Sequence, residues 1–352
     1  MAKVSVAVSV YNVEQYIERC VRSLMEQTLE DMEFVFVEDA STDGSLAVLE
    51  RVLAEYPHRR SQVKVIRHEC NMGTAIGKRD SMMATTGEYV IVVDSDDYVE
   101  LDMAERLYAK AKEEDVDMVL CTMFVERYDG SVNIMDLRED ESENLRMSVI
   151  NRIITPSLST KLIRKSILET ADFNWPTHNY AEDVAISVQA AYYSRKVVAL
   201  PAALYHYCYN PKSVCNMLDL DRLLNIHEDC KANAELVFDF LRRRGVYERY
   251  GQCVYYLSVY AKCSLLPLVG QRKYRRMWLS TYPEMNKVIF WGNATHNSRI
   301  REKIWYLSIW SGLYPKVRKY LSGERLKMRN GWNWGAVTLE RQYRGSTKVE
   351  GR

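Results

Sequence analysis

Pairs of closely spaced cysteines are missing from this chain. Its eight cysteines (20, 70, 121, 208, 215, 230, 253 and 263) are scattered and form no C-x-x-C, which argues against a zinc knuckle or a redox dithiol. A chain of 352 residues has no need of a disulfide scaffold, so the thiols read as structural ones in a reducing compartment. No apolar run approaches the roughly 18 residues that cross a bilayer. The opening MAKVSVAVSVYN lacks a cleavable apolar core. The expectation is therefore a cytoplasmic protein, with peripheral attachment to the inner face of the cell membrane left open. An excess of one charge is also absent. The 48 Lys and Arg against 47 Asp and Glu leave +1, so nothing draws the whole molecule to nucleic acid, and an electrostatic partner must meet a local patch. There is no G-x-x-x-x-G-K-[ST] run, which argues against a P-loop ATPase, and no G-x-G-x-x-G opens a helix after the first strand, where a dinucleotide site would need it. Internal repeats and low-complexity tracts are absent too.

What remains has the grammar of a globular α/β protein. Over the first 125 residues, short β-branched strands alternate with helix-length segments. The strands are Lys3–Val10, Glu33–Glu38, Val63–His68, Tyr89–Val93 and Asp117–Val125. Apolar residues at helical spacing mark Val13–Thr28, and further helices are expected over Ser41–Tyr56, Thr74–Thr85 and Leu101–Glu114. Strands this apolar, each a helix length apart, predict a mostly parallel, Rossmann-like sheet with helices on both faces. Asp129-Gly130 reads as a hairpin turn, followed by a charged connection over Asp136–Leu145. Prolines 156, 176, 201 and 211 interrupt the stretch to about residue 216, and beyond Asp219 the pattern is almost wholly helical. Three parts are expected: residues 1–125, 126–216 and a helical 217–352.

Three strand tips carry polar residues: Ser9-Val10-Tyr11-Asn12, Glu38-Asp39 and Asp94-Ser95-Asp96-Asp97. Ligands of open α/β sheets bind beyond the carboxyl ends of the strands, so these tips should converge on one crevice. Asp39 can accept a hydrogen bond from a base N–H. Asp94 and Asp96, flanking Ser95, offer hard oxygen ligands suited to Mg²⁺ or Mn²⁺, which complete their shells with phosphate oxygens and water. The plainer alternative is a solvated turn in which Asp97 caps the next helix. Glu182-Asp183 likewise suits the first turn of a helix over Ala181–Tyr193.

The segments VSVAVSVYNVEQYIERCVRSLMEQTLEDMEFVFVEDASTDGS and NMGTAIGKRDSMMATTGEYVIVVDSDDYVE closely resemble family 2 glycosyltransferases of GT-A fold. The likeness covers about the first 125 residues. It continues more weakly at STKLIRKSIL, YAEDVAIS and ALYHYCYNPKSV. It implies an inverting, metal-dependent hexosyltransferase that moves a sugar from a nucleotide-diphosphate donor, usually a UDP-sugar, to a hydroxyl of a saccharide or lipid-linked saccharide. The setting would be bacterial polysaccharide or glycoconjugate synthesis. By the same likeness Ser9, Tyr11 and Asp39 line the uridine, and Lys78, Asp94 and Ser95 belong to the nucleotide site. Asp94 and Asp96 form the D-x-D that holds Mn²⁺ or Mg²⁺, with Asp96 favoured as the direct ligand, and Asp183 is the catalytic base.

Several positions depart from the family pattern. Ser9 stands for a proline, Ala40 for a glycine, Lys78 for an arginine, and Cys208 for an arginine carried by many relatives. His178 and His206 read as structural hydrogen-bonding residues, and Trp175 as packing or as a sugar platform. Residues 299–329 hold nine Lys/Arg against two Glu, with Trp305, Ile309, Trp310 and Leu313 at helical spacing. That profile fits either an interfacial membrane segment or a packed terminal subdomain. Two other functions remain in view. A nucleotidyltransferase making sugar nucleotides would need a Gly-rich triphosphate loop that VSVYNVEQYIER does not contain, and a degenerate, transferase-like binding subunit would not need the acids just named.

Overall fold

The structure, a computed structural model, describes residues 2–135, 142–150, 157–211, 219–292 and 300–316. Pro156, Cys215, the connection over 136–141, and residues 299 and 317–329 of the basic segment lie outside the described residues. The described residues fall into two compact units, within Met1–Asn210 and within Pro211–Leu339.

The first unit is organised by one sheet. Its strands are β1 (Val4–Val10), β2 (Met32–Glu38), β3 (Val63–Arg67), β4 (Tyr89–Val92), β5 (Tyr98–Val99), β6 (Met118–Glu126), β7 (Val132–Met135), β8 (Lys161–Arg164) and β9 (Val197–Tyr207). They lie in the order β3-β2-β1-β4-β8-β6-β9-β5, with β7 on the edge of β6. Pairing is parallel from β3 through β4. The antiparallel β8 is slotted between β4 and β6, so β6 and its parallel neighbour β9 keep the direction of the first four strands. The Asp129-Gly130 turn forms the expected hairpin, β6 to β7, with Gly130 in the left-handed region.

Period-2 alternation sends Val4, Val6, Val8 and Val10 of β1 into one buried layer with Ile17, Val21 and Leu24 of α1 (Ile17–Met25), Leu49 of α2 (Ser45–Ala54) and Leu107 of α4 (Met103–Glu113). Each such aliphatic side chain contributes about 1.5–3 kcal/mol on burial. On the alternate positions of β1, Ser9 meets α3 (Thr74–Met83). A Cβ on Gly77 would stand 3.2 Å from that of Ser9, so glycine permits this close approach of helix to strand.

Register fixes which residues share the functional edge. Val10 pairs with Glu38 and Ala7 with Val92, so Ser9, Asp39 and Asp94 emerge together at the carboxyl ends of β1, β2 and β4. The turn after β2 carries strain: Ala40 has φ +56°. An L-residue there costs roughly 1–2 kcal/mol, partly offset in glycine by chain entropy. Ala40→Gly is expected to raise stability by up to about 1 kcal/mol, read as a higher unfolding midpoint. An unchanged or lowered midpoint would show the turn is relaxed.

The second unit is helical: α8 (Leu220–Arg243), α9 (Gly251–Cys263), α10 (Arg272–Ser280), α11 (Pro283–Trp291) and α12 (Ile300–Ser311). Asp219 caps α8 by accepting from the Arg222 N–H. Tyr255, Leu265, Trp278, Ile289 and Ile309 share one apolar cluster. Lys262 is buried beneath it, bonded to the Thr281 carbonyl and 4.6 Å from the Trp278 ring, and burial pushes its ammonium down to about 7.

The four apolar residues expected on one face of the last helix divide. Ile309 is buried and Trp305 packs against the same cluster, whereas Trp310 is 63% and Leu313 50% exposed. At about 100° per residue, 305 and 309 nearly eclipse each other while 310 turns a quarter of the way round.

Candidate functional site

After β4 the chain makes a tight turn, the Asp97 N–H bonding the Asp94 carbonyl. Asp97 is neither solvated nor a helix cap. It is buried, accepting from the Tyr205 hydroxyl and, at 2.7 Å, from the Cys208 N–H, while α4 begins after Asp102 instead. Burial, followed by the charges of Asp96 and Asp94, raises its carboxyl well above the usual range. Asp97 thus ties the acidic turn to β9. Ser95 beside it is buried, and Asp96 accepts a 3.0 Å bond from Asn210 Nδ2. The carboxyl of Asp96 is also raised, by burial first and then by Asp94.

Asp94 faces the opposite way along the turn. Its Oδ2 accepts from Ser159 Oγ at 3.0 Å and its Oδ1 lies 3.4 Å from Lys78 Nζ. Lys78 comes from α3, with a side chain only 5% exposed, and its ammonium also reaches Asp183 Oδ1 at 2.7 Å and Glu182 Oε1 at 3.1 Å. Burial alone would lower this lysine's pKa, but Asp183, Asp94 and Glu182 outweigh it and hold the pKa well above the ordinary value. Glu182 moves the other way for an acid: burial, with the charge of Asp183, raises it despite the lysine. One ammonium therefore faces three carboxylates, with Asp96 close by, and the cluster is short of positive charge.

Local structure holds each acid in place. Glu182 and Asp183 open α7 (Glu182–Tyr193), where acids suit the positive end of the helix. The preceding Ala181 is left-handed at φ +65°, a strained entry of the kind found at functional sites. Asp183 Oδ2 accepts the Leu158 N–H at 3.3 Å, from the same 3₁₀ turn (Leu158–Thr160) that lends Ser159 to Asp94. Fully buried Lys161 steadies that turn by donating to the Ser157 carbonyl.

Asp39 is joined to this edge less directly. Its Oδ1 takes the Met72 N–H at 2.8 Å and His68 Nδ1 at 2.7 Å, and its Oδ2 takes the Gly73 N–H at 2.9 Å. Only 3% exposed, it is committed first to the loop before α3, and one lone pair of Oδ2 is what it keeps for a ligand. Gly73 has φ +90°, and a Cβ there would come 2.6 Å from Asn179 Oδ1, which in turn accepts the Ala75 N–H. The loop that Asp39 holds thus packs on a residue four positions before Asp183. Ser9 is half-buried beside Gly77, and Tyr11 is 41% exposed just past β1.

Other residues near the site have the following surroundings. Arg79, next to Lys78 in the chain, turns to Asp80 at 2.8 Å instead. His206 bonds Glu100 at 2.7 Å and stacks between Tyr98 and Phe124. Cys208 accepts from Arg19, whose guanidinium lies over Tyr98, and Trp175 packs on Phe173. His178 is exposed. Sequence patterns did not single out His68, Ser159 or Asn210, whose partners lie 29, 65 and 114 residues away. A groove of about 480 Å³ lies between α1 and β5, lined by Arg19, Arg22, Glu26, Tyr98 and Glu100 among others. It is not over the carboxylates, and the chemistry rather than the volume locates the candidate site.

The donor set fits a divalent cation. Asp94 and Asp96 are hard oxygen ligands in a cluster short of positive charge. Among the described residues no three His, Cys, Asp or Glu side chains gather into a complete metal cage. Two carboxylates with the remaining shell left to phosphate and water is how Mg²⁺-type ions are usually held.

Comparison with known proteins bears on the family and the fold. The model for glycosyl transferase family 2 matches residues 5–175. Putative glycosyltransferase EpsH of Bacillus subtilis is 30% identical over 219 residues, 60% of this chain and 62% of the relative. Uncharacterized glycosyltransferase EpsJ of the same organism is 28% identical over 278 residues, 76% of each. The chain thus spans just under two thirds of the first relative's length. The crystal structure of S. aureus TarS 1–349 in complex with UDP-GlcNAc superposes with a TM-score of 0.67 at 21% identity, covering 90% of this chain and 89% of that one. The fold is GT-A: a Rossmann-like mixed sheet with helices, followed by a helical C-terminal region.

Proposed function

Residues 5–175 of this chain belong to glycosyl transferase family 2, and from that premise we propose an inverting, metal-dependent transfer of a sugar from a UDP-sugar to an acceptor hydroxyl. The setting is polysaccharide or glycoconjugate assembly. One observation carries the proposal: Lys78 draws Asp94, just after β4, and the two acids opening α7 into a single cluster beyond the carboxyl ends of the parallel strands. TarS 1–349, of the same fold, was solved with UDP-GlcNAc, which supports a UDP-sugar as the donor class.

Residues 1–125 bind the donor, 126–216 shape the acceptor side, and the described residues of 217–352 are mainly helical. The uridine lies against Ser9, Tyr11 and the loop held by Asp39. Asp96 and Asp94 hold Mn²⁺ or Mg²⁺, which supplies Lewis-acid neutralisation of the charge left on UDP. Asp183 accepts the proton of the acceptor hydroxyl as the oxygen attacks the anomeric carbon. The bond from that carbon to the diphosphate oxygen breaks, its electron pair leaves with UDP, and attack opposite the leaving group inverts the centre. The Leu158 N–H and Lys78 fix the Asp183 carboxylate in orientation.

A UDP-release screen over common UDP-sugars, with and without Mn²⁺, tests the proposal. Release above the protein-free rate from one sugar, dependent on the metal, is expected even as slow hydrolysis. A folded protein that releases UDP from none of them would sink it.

The helical unit suggests a peripheral membrane contact. No described helix is long and apolar enough to cross a membrane. Nevertheless α12 exposes Ile300 (77%), Ile304, Leu307 and Trp310, with Lys303 beside them. An apolar stripe with a lysine beside it suits an anionic lipid surface. Co-sedimentation with anionic but not neutral liposomes is expected, and indifference to both would remove this contact.

A further inference from the structure

Lys78 occupies a position from which it competes with any metal. Its Nζ stands 3.4 Å from Asp94 Oδ1, and two further carboxylates, on Asp183 and Glu182, hold it there at 2.7 and 3.1 Å. The side chain is 5% exposed and springs from the first two turns of α3, so neither solvent nor a flexible backbone gives it an easy retreat. Taking Asp94 and Asp96 as metal ligands, as in the function just proposed, we infer that Lys78 is a resident counter-ion that makes divalent-metal binding conditional on the nucleoside diphosphate.

The physical grounds are Coulombic. A dication brought to Asp94 alone meets an ammonium already seated on the same carboxylate, in a buried setting where like charges repel more strongly than in water. It also has to share an acid whose second oxygen is bonded to Ser159. A diphosphate changes the balance by adding negative charge between the two cations. Both are then attracted to the phosphate oxygens, and their mutual repulsion is offset. Metal and nucleotide therefore enter with positive coupling, and linkage requires the metal to strengthen nucleotide binding by the same factor that nucleotide strengthens metal binding. Lys78 acts here through Asp94 and Asp183. It is a positioning residue, and its effect appears in binding without any turnover.

The experiment is a titration of free Mn²⁺ by electron paramagnetic resonance on the full chain, with and without UDP. Lys78→Gln keeps a hydrogen-bond donor for the carboxylates and removes the charge. It is expected to bind Mn²⁺ without UDP at least about tenfold more tightly than the unaltered protein, with the Mn²⁺–UDP coupling reduced by the same factor. Lys78→Arg keeps the charge and is expected to stay within about twofold of the unaltered protein. No gain in the glutamine variant overturns the inference, as does a tenfold gain in the arginine variant. If the glutamine variant does not fold, the arginine comparison still tests the inference, since a tenfold gain there overturns it. Asp96→Ala, run alongside, separates the two levels of argument. If it leaves Mn²⁺ binding in the presence of UDP untouched, the metal assignment itself fails. If it abolishes that binding while Lys78→Gln gains nothing, the assignment survives and only the counter-ion role falls.

Discussion

Asp183→Asn is expected to bind a UDP-sugar as the unaltered protein does and to turn it over at least about 10²-fold more slowly. The amide matches the carboxylate in shape and its one oxygen can still accept the Leu158 N–H; it gives up the bond that Oδ1 accepts from Lys78, which Glu182 and Asp94 continue to hold, so the start of α7 should keep its geometry. It cannot take a proton from an attacking hydroxyl. A neutral alcohol is a poor nucleophile, and removing its proton as the new bond forms is the contribution lost. Calorimetry for donor affinity and steady-state UDP release for turnover separate the two effects. Near-normal turnover would transfer the base role elsewhere. Glu182 would be the first candidate, because it touches the same lysine and its carboxyl is already raised by burial.

Asp96→Ala should reduce UDP affinity in Mn²⁺ to the metal-free level, a loss of at least about tenfold. Burial, and then the charge of Asp94, raises the Asp96 carboxyl, while Asp94 is paired with Lys78. Asp96 has no such lysine contact, which leaves it the stronger ligand for an incoming cation. The alanine removes that ligand while Asp97, which anchors the turn through Tyr205 and the Cys208 N–H, remains. Calorimetry with and without Mn²⁺ reads the result directly. If the variant retains the metal's benefit, the cation is held elsewhere or the diphosphate is bound without it.

Much of the fold was legible in local sequence. The β-branched runs of β1, β2 and β4 bury on both faces, and a run of that kind between helix-length segments has few homes other than a central parallel sheet. The polar tips followed from the same pattern, since the carboxyl ends of such strands point the same way. The antiparallel insertion of β8 was not legible, because KLIR is too short to declare its partners. Nor was the division of α12, where two apolar faces share one helix and only packing tells them apart.

Within the site, the identities of Asp94, Asp96 and Asp183 were written in short motifs, but their relationships were not. Lys78 and Asp183 are 105 residues apart, and nothing local links them. An aspartate before a helix reads as a cap from sequence, and it takes the Tyr205 hydroxyl and the Cys208 N–H, both brought in by distant chain, to make Asp97 an anchor instead. Asp39 looked like a free acceptor until the backbone of residues 72 and 73 closed on it. By itself the sequence determined which elements form and which acids stand at their ends, because periodicity and turn chemistry act over a few residues. The tertiary structure alone decided which charges meet, since Coulombic pairing and burial depend on distance in space, and folding sets that distance between residues the chain keeps far apart.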